Sequence, residues 1–420
     1  MKYFKELVEE SLQFFPAILL LGARQIGKST FAKSLIAAGM LDEYVTLDDF
    51  TTLSSFKADP DAGLASFNRR IVLDEVQRVP DLMRALKKNI DENRQNGRFF
   101  LTGSANVLAH RDVTESLTGR LDVLILEGLG WSDLDKAPLA QGLKILLQAS
   151  VDLFKNHIFQ QQNLNIFANE KNIKNYLLDT IFFGGYPEVA LSQNARFKER
   201  YFQAYQTTYI EKDVRDLSKG IDVVQFAQVA KTFLLHSGGL VNMASLSQNL
   251  QLDQRTMKRY AELMELTFQV VFLQPWSRNA FKRVIKTPKI YAKDSGMMSF
   301  MHRILSPKDL LASSYFGEIL ETYFFMELRK QVQMIPGVSI YFYRTHAGKE
   351  VDFVLEYGQK IIGIEIKAAN SVQAKDFSGL YDLEEASLGC FEMGMVLYQG
   401  DEVRFFDTNK AAIPMKYLLR

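Results

Sequence analysis

The sequence predicts an α/β protein of several domains, led by a parallel sheet with helices on both faces. Three observations predict it. Across residues 1–135, short β-rich apolar runs alternate with segments of helical spacing, the pattern that strand–helix–strand units produce. Residues 136–222 then turn mostly helical, and residues 223–305 give two helices around a polar turn, followed by two β-rich runs. Residues 306–420 open on a strong helix and continue into three strand-like runs. At 420 residues the chain exceeds one ordinary core, so several domains suit its length.

In the first segment, strands are expected at Ala17 to Leu21, Tyr44 to Leu47, Ile71 to Leu73, Phe99 to Thr102 and Val123 to Leu126. Helical spacing covers Lys28 to Ala38 and Asp81 to Asn93, the latter opening on Pro80 and Asp81 as a start signal. The helical second segment is a lid or connector, broken by a turn at Gly184-Gly185-Tyr186-Pro187. The third has the order of a winged helix-turn-helix: a helix, Met243 to Leu250, a turn at Gln251 to Asp253, a helix to about Leu266, then Val270 to Leu273 and Lys289 to Ala292. Met257, Tyr260, Ala261 and Met264 recur at helical spacing there, while Arg255, Lys258 and Arg259 lie off that stripe. In the fourth, a helix over Glu318 to Lys330 precedes strands at Ser339 to Tyr343, Val351 to Glu356 and Ile361 to Ile366, with a mixed tail beyond.

Charged residues make up 24% and hydrophobic residues 47%, with a net charge of +1, the profile of a folded protein and not of a disordered or fibrous one. That charge argues neither for nor against nucleic acid. A single cysteine, Cys390, excludes a disulfide framework and a cysteine-rich zinc site, and is expected to be a buried thiol. No signal-type region or bilayer-length apolar run is seen, so a soluble cytoplasmic protein without a membrane partner is the expectation.

Gly22-Ala23-Arg24-Gln25-Ile26-Gly27-Lys28-Ser29 is a full Walker A pattern between a buried strand and a helix, and Thr30 continues it. Glycines let successive backbone N–H groups curl around a phosphate, and a helix N-terminus adds partial positive charge. ATP and Mg²⁺ are therefore the expected cofactors, with Lys28 on the phosphates and the Ser29 hydroxyl on the metal. Arg70-Ile71-Val72-Leu73-Asp74-Glu75 is an apolar strand ending in two acids, Asp74 suited to Mg²⁺ and Glu75 to polarising the attacking water. The strand Phe99 to Thr102 runs on into Gly103-Ser104. If it lies between the strands bearing the two Walker motifs, a hydroxyl of Thr102 or Ser104 can hold that water. Arg120, after Ser116-Leu117-Thr118-Gly119, is expected at the carboxyl rim of the sheet as a γ-phosphate contact, in cis or from a neighbouring subunit of a homo-oligomer. A surface salt bridge competes with that reading, and Arg111 and Arg215 are lesser candidates for the same task.

Together these residues resemble the AAA+ class of P-loop ATPases. The order of motifs is similar to a prokaryotic family that joins an AAA-type domain to a C-terminal domain of unknown function. The matching positions are Gly22 to Lys28, Leu73 to Gln77, Thr102 to Ser104, Leu117 to Arg120, Gly184 to Glu188 and Pro288 to Gly296. The resemblance implies a P-loop NTPase sheet, a helical connector, a winged helix-turn-helix and a C-terminal domain like the restriction endonucleases.

In that last domain Asp352, Glu365 and Lys367 look like the PD-(D/E)XK nuclease core, in which acids of two adjacent strands gather Mg²⁺ and a lysine steadies charge at the scissile phosphate. Glu365 and Lys367 stand two apart on one strand and so share a face. By family match Glu321 completes the metal shell, with Glu318 one turn earlier as a substitute. The competing reading is a sheet that keeps the shape without hydrolysis. Arg255, Lys258, Arg259, Arg278, Lys282, Arg283, Lys286 and Lys289 form the most basic stretch of the chain and are the expected DNA contacts, or else a solvated face. The function expected is an ATPase whose nucleotide state controls a DNA-binding, nuclease-like half, with a non-cutting, partner-binding scaffold as the alternative.

Overall fold

The computed structural model describes residues 2–103, 117–136, 138–163, 170–209, 214, 220–279, 281, 283 and 287–419. The chain forms two compact units. The first holds Met1–Gly128, Thr207–Ile221 and Glu262–Gln269, and the second holds Leu129–Gln206, Asp222–Ala261 and Val270–Arg420.

The first unit is built on β1 (Ala17–Leu21), β2 (Glu43–Thr46), β3 (Ile71–Asp74), β4 (Phe99–Gly103) and β5 (Leu121–Ile125), ordered β2-β3-β4-β1-β5. Every pairing is parallel. A parallel sheet needs cover on both faces, and all five residues of β1, Ala-Ile-Leu-Leu-Leu, are buried. Full burial of such side chains is worth about 1.5–3 kcal/mol each. Helices α1 (Lys2–Phe14), α2 (Lys28–Ala37), α3 (Phe50–Ala58), α4 (Pro60–Ala65) and α5 (Leu82–Glu92) accompany the sheet. Phe4 of α1 meets Phe31 of α2 edge-on at 5.2 Å between ring centres. The condition set for β4 is met, because it lies between β1 and β3.

The second unit begins with helices α6 (Trp131–Leu134), α7 (Gly142–Gln148), α8 (Val151–Asn163), α9 (Glu170–Phe183), α10 (Pro187–Ser192) and α11 (Ala195–Thr208), the last of which ends in the first unit. Next come α12 (Val223–Leu235), α13 (Met243–Asn249) and α14 (Gln254–Leu266), whose residues from Glu262 on belong to the first unit, then an antiparallel ribbon of β6 (Val270–Leu273) and β7 (Lys289–Ala292). Asp222 and Asn242 cap α12 and α13 by accepting from backbone N–H groups, which holds the expected order of elements in place. On α14, Met257, Tyr260, Ala261 and Met264 are buried, while Arg255, Lys258 and Arg259 are exposed, as the helical spacing requires.

Helices α15 (Ser295–Met301), α16 (Pro307–Ala312) and α17 (Phe316–Gln333) lead into a six-stranded sheet. Its strands are β8 (Val338–Arg344), β9 (Glu350–Tyr357), β10 (Lys360–Lys367), β11 (Phe391–Tyr398), β12 (Arg404–Asp407) and β13 (Lys410–Pro414), ordered β12-β13-β11-β10-β9-β8. Strands β8, β9 and β10 pair antiparallel, and β10, β11 and β13 pair parallel. Helix α18 (Ser378–Ser387) makes the crossover from β10 to β11, and α19 (Lys416–Leu419) ends the described chain. The mixed tail of the sequence reading is thus half of a sheet. Cys390 is half-buried, not buried as expected. Among the described residues no helix is long and apolar enough to cross a membrane.

Candidate functional site

Strand β1 delivers the chain into the loop Gly22 to Gly27, and α2 begins at Lys28 with Gly27 as its N-terminal cap. The loop reverses direction through left-handed backbone at Gln25 (φ 59°) and Gly27 (φ 98°). At Gly22 a Cβ would stand 2.6 Å from the Leu126 carbonyl oxygen, so only glycine lets the loop pass so close to the chain leaving β5. Ala23 and Ile26 are buried and anchor the loop, whereas Arg24, Gln25 and Thr30 face outward to varying degrees. Lys28 is buried, and its Nζ donates to the carbonyl oxygens of Gly22 (3.0 Å) and Ala23 (2.8 Å). Its ammonium is thereby held inside the curl of backbone.

Asp74 ends β3 as a buried carboxylate that three hydroxyls meet. Ser29 Oγ donates to it at 3.0 Å and Tyr44 at 2.5 Å, and Thr102 donates to Oδ1 from the neighbouring strand β4. Such donors stabilise a buried carboxylate that would otherwise be costly. Burial and the charge of Asp74 push the Tyr44 hydroxyl well above its ordinary pKa, which keeps it protonated as a donor. The sequence reading placed Tyr44 in a strand without a role. Its signal was only its place on the strand beside β3, which cannot be known before the strand order is. Glu75 follows in left-handed backbone (φ 62°), with its N–H donating to Thr102 Oγ1 at 3.3 Å and its carboxylate accepting from Gln77. A non-glycine residue in that region is strained.

Glycine curl, buried ammonium, hydroxyl and carboxylate fit a nucleoside triphosphate with its Mg²⁺. Gly22, Gly27 and Lys28 are the residues that would hold phosphates, and Ser29 and Asp74 those that would hold the metal.

Arg120 corrects an expectation. It precedes β5, and its carbonyl accepts from Ala17 N at the start of β1. It therefore lies at the amino rim of the sheet, about 16 Å from the phosphate loop at roughly 3.3 Å per strand residue. There it binds Asp91 of α5 at 2.6 Å, the competing salt-bridge reading. A cis contact with a γ-phosphate from that rim is out of reach. Ser104, Arg111 and Arg215 lie outside the described residues.

In the second unit, Glu321 of α17, Glu350 and Asp352 of β9, and Glu365 and Lys367 of β10 lie together. Lys367 Nζ binds Glu365 Oε1 at 2.8 Å, which confirms their shared face. Asp352 N–H donates to Glu365 Oε2 at 3.4 Å, and Asp352 Oδ2 accepts from Ile366 N at 2.8 Å. Glu318 stays exposed outside the group. Burial first, then the charge of Asp352, raises the pKa values of Glu321 and Glu365 above the ordinary carboxylate range, and burial raises Asp352 as well.

The centre also holds a cation that sequence reasoning put elsewhere. Lys289 of β7 is only 2% exposed. Its Nζ lies 2.5 Å from Glu350, 3.1 Å from Glu321 and 3.7 Å from Asp352. Burial alone would lower its pKa, but the charges of Glu321, Asp352 and Glu350 raise it, so it stays an ammonium. Lys289 is therefore no DNA contact, which corrects the basic-stripe expectation. Arg283 is likewise bound to Glu356 at 2.6 Å, and Lys282 and Lys286 lie outside the described residues. Among the described residues no three His, Cys, Asp or Glu side chains are arranged to hold a metal; at Asp352 and Glu365, where a second Mg²⁺ was expected, Asp352 Oδ2 accepts from Ile366 N and Glu365 Oε1 from Lys367.

Comparison with known proteins agrees with the first site. Residues 15–134 match the family described as an AAA domain, residues 173–308 a domain of unknown function (DUF8612), and residues 316–418 another (DUF4143). Uncharacterized proteins of Mycobacterium bovis and Mycobacterium tuberculosis are each 26% identical over 417 residues, 98% of this chain and 83% of theirs. An uncharacterized protein of Methanocaldococcus jannaschii is 23% identical over 350 residues, 80% of this chain and 71% of its own. Among solved structures, a Thermotoga maritima RuvB variant covers 68% of this chain and 94% of its own at 15% identity, with a TM-score of 0.31, too slight a likeness to argue from. The phosphate loop, the sheet and the family match make the N-terminal segment an AAA-type P-loop domain, a nucleotide-binding class.

Proposed function

We propose that the chain is a Mg²⁺-dependent ATPase whose nucleotide state controls a second half that binds a partner and does not cut it. The observation that carries the first part is the meeting of Ser29 Oγ and Asp74 at 3.0 Å beside the buried Lys28 ammonium. Bound Mg²⁺ would neutralise developing charge on the phosphates. Lys28 would bind the β- and γ-phosphates, Thr102 and Tyr44 would keep the Asp74 carboxylate oriented, and Glu75, steadied by Gln77, would orient the attacking water. Turnover tests this reading. Glu75→Gln should keep ATP affinity within about threefold and lower kcat at least a hundredfold, the range in which general bases act. An unchanged kcat would remove Glu75 from the mechanism.

Two features support the binding role of the second half. α17 followed by antiparallel β8, β9 and β10, with β11 parallel beyond, is compatible with a nuclease-like shape. Lys289 within its acids favours a centre that has kept the shape without metal-dependent cleavage. A DNA partner for residues 223–292 would meet the exposed Arg255 and Arg278, while Lys289 and Arg283 are bound to Glu350 and Glu356.

A further inference from the structure

The acids of the second unit meet a cation that the protein supplies itself. Three carboxylates from two elements converge on one ammonium: Glu321 of α17 at 3.1 Å, and Glu350 and Asp352 of β9 at 2.5 and 3.7 Å from Lys289 Nζ. The same strand β7 brings a second donor, because the Tyr291 hydroxyl binds the Glu321 oxygen that Lys289 also binds, at 2.5 Å. Oxygens of the strand acids have further protein partners. Glu350 Oε2 accepts from Arg344 at 2.7 Å, Asp352 Oδ2 from Ile366 N at 2.8 Å, and Glu365 Oε1 from Lys367 at 2.8 Å.

A divalent cation bridging the helix acid to the β9 acids would need oxygens at about 2.0–2.1 Å for Mg²⁺. The Lys289 ammonium takes up the space between those oxygens, and two cations cannot share it. Lys289 is held there by more than charge. β7 pairs with β6 and forms a bridge from Lys289 to Leu240. Tyr291 packs on Phe325 of α17 at 4.4 Å, and Phe325 stacks on Phe353 of β9 at 5.4 Å.

We propose that Lys289 is the resident cation of this centre, fastening β7 to the C-terminal sheet and excluding a divalent metal from Glu321, Glu350 and Asp352. This deepens the binding-without-cleavage reading and rests on it, while standing apart from ATP turnover.

Mn²⁺ titration of the nucleotide-free full chain, read by electron paramagnetic resonance, tests it in wild type, Asp352→Asn, Lys289→Met and Lys289→Met/Asp352→Asn. Wild type should show no Mn²⁺ site that Asp352→Asn removes. Lys289→Met should gain one at least tenfold tighter than any residual binding, and the double variant should lose it. An Asp352-dependent site in wild type, or no gain in a folded Lys289→Met chain, would overturn the proposal. Should Lys289→Met not fold, thermal melting decides. Equal Tm shifts by Mn²⁺ in wild type and Asp352→Asn support the proposal, and a larger shift in wild type overturns it. Because nucleotide is absent throughout, these outcomes are independent of whether Lys28 and Glu75 support hydrolysis.

Discussion

Lys198 of α11 is 2% exposed, with its Nζ 3.4 Å from the centre of the Phe182 ring and no hydrogen-bond partner among the described residues. Burial lowers its pKa to about 7, against which the charges of Asp294 and Glu199 work only in part. The unfolded lysine titrates near 10.5. Between about pH 7 and 10.5 the unfolded chain therefore binds more protons than the folded one, and stability rises with pH across that window. Lys198→Met removes this dependence. Its stabilisation relative to wild type, taken from urea midpoints, should be larger at pH 7.5 than at pH 9.5, by about 1.4 kcal/mol per pH unit at most. A difference independent of pH would show that Lys198 is charged when folded. Residue by residue, the nucleotide site was the most legible part of the sequence, because Gly22, Lys28, Ser29, Asp74 and Glu75 lie on local motifs. Tyr44 and Lys289 were not legible. Each acts through a strand pairing or a tertiary contact that no local pattern encodes.

Between elements, two motifs that the sequence reading left without a chemical role turn out to be one joint. The turn Gly184-Gly185 meets the start of α15. Asp294 caps that helix by accepting from Met297 N at 2.7 Å, and its other oxygen accepts from Gly185 N at 2.7 Å. Gly184 has φ +74°, and a Cβ on Gly296 would collide with the Phe183 carbonyl. Backbone cannot retreat as a flexible side chain can. Gly296→Ala should therefore cost about 3 kcal/mol, at the upper end of overpacking penalties, lowering the urea midpoint of unfolding. A midpoint within error of wild type would deny that the approach is as close as described. Among the elements, the short apolar strands β1, β6 and β7 were legible, and their bounds match expectation. β11 and β13 were not. β13 opens on Lys410, buried and bound to Glu384, so its sequence Lys-Ala-Ala-Ile-Pro lacks the alternation of a half-exposed strand. Arg120 was placed at the wrong rim because its distance from the phosphate loop depends on chain direction through β5, which a list of motifs leaves out.

At the scale of the molecule, the two units differ in how they treat charge. In the first, hydroxyls from three elements surround Asp74, and the Lys28 ammonium is held by backbone carbonyls of the phosphate loop. In the second, Lys289 neutralises the acids from within. The first arrangement suits a site that takes up and releases a charged ligand, the second a site already filled. The most direct measurement is Mg²⁺-dependent ATP affinity by calorimetry for wild type and Lys28→Ala. Wild type should bind ATP more tightly with Mg²⁺ than without it, and Lys28→Ala should weaken that binding at least a hundredfold, as expected when a buried phosphate contact is lost. Equal affinities in the two proteins would contradict the account.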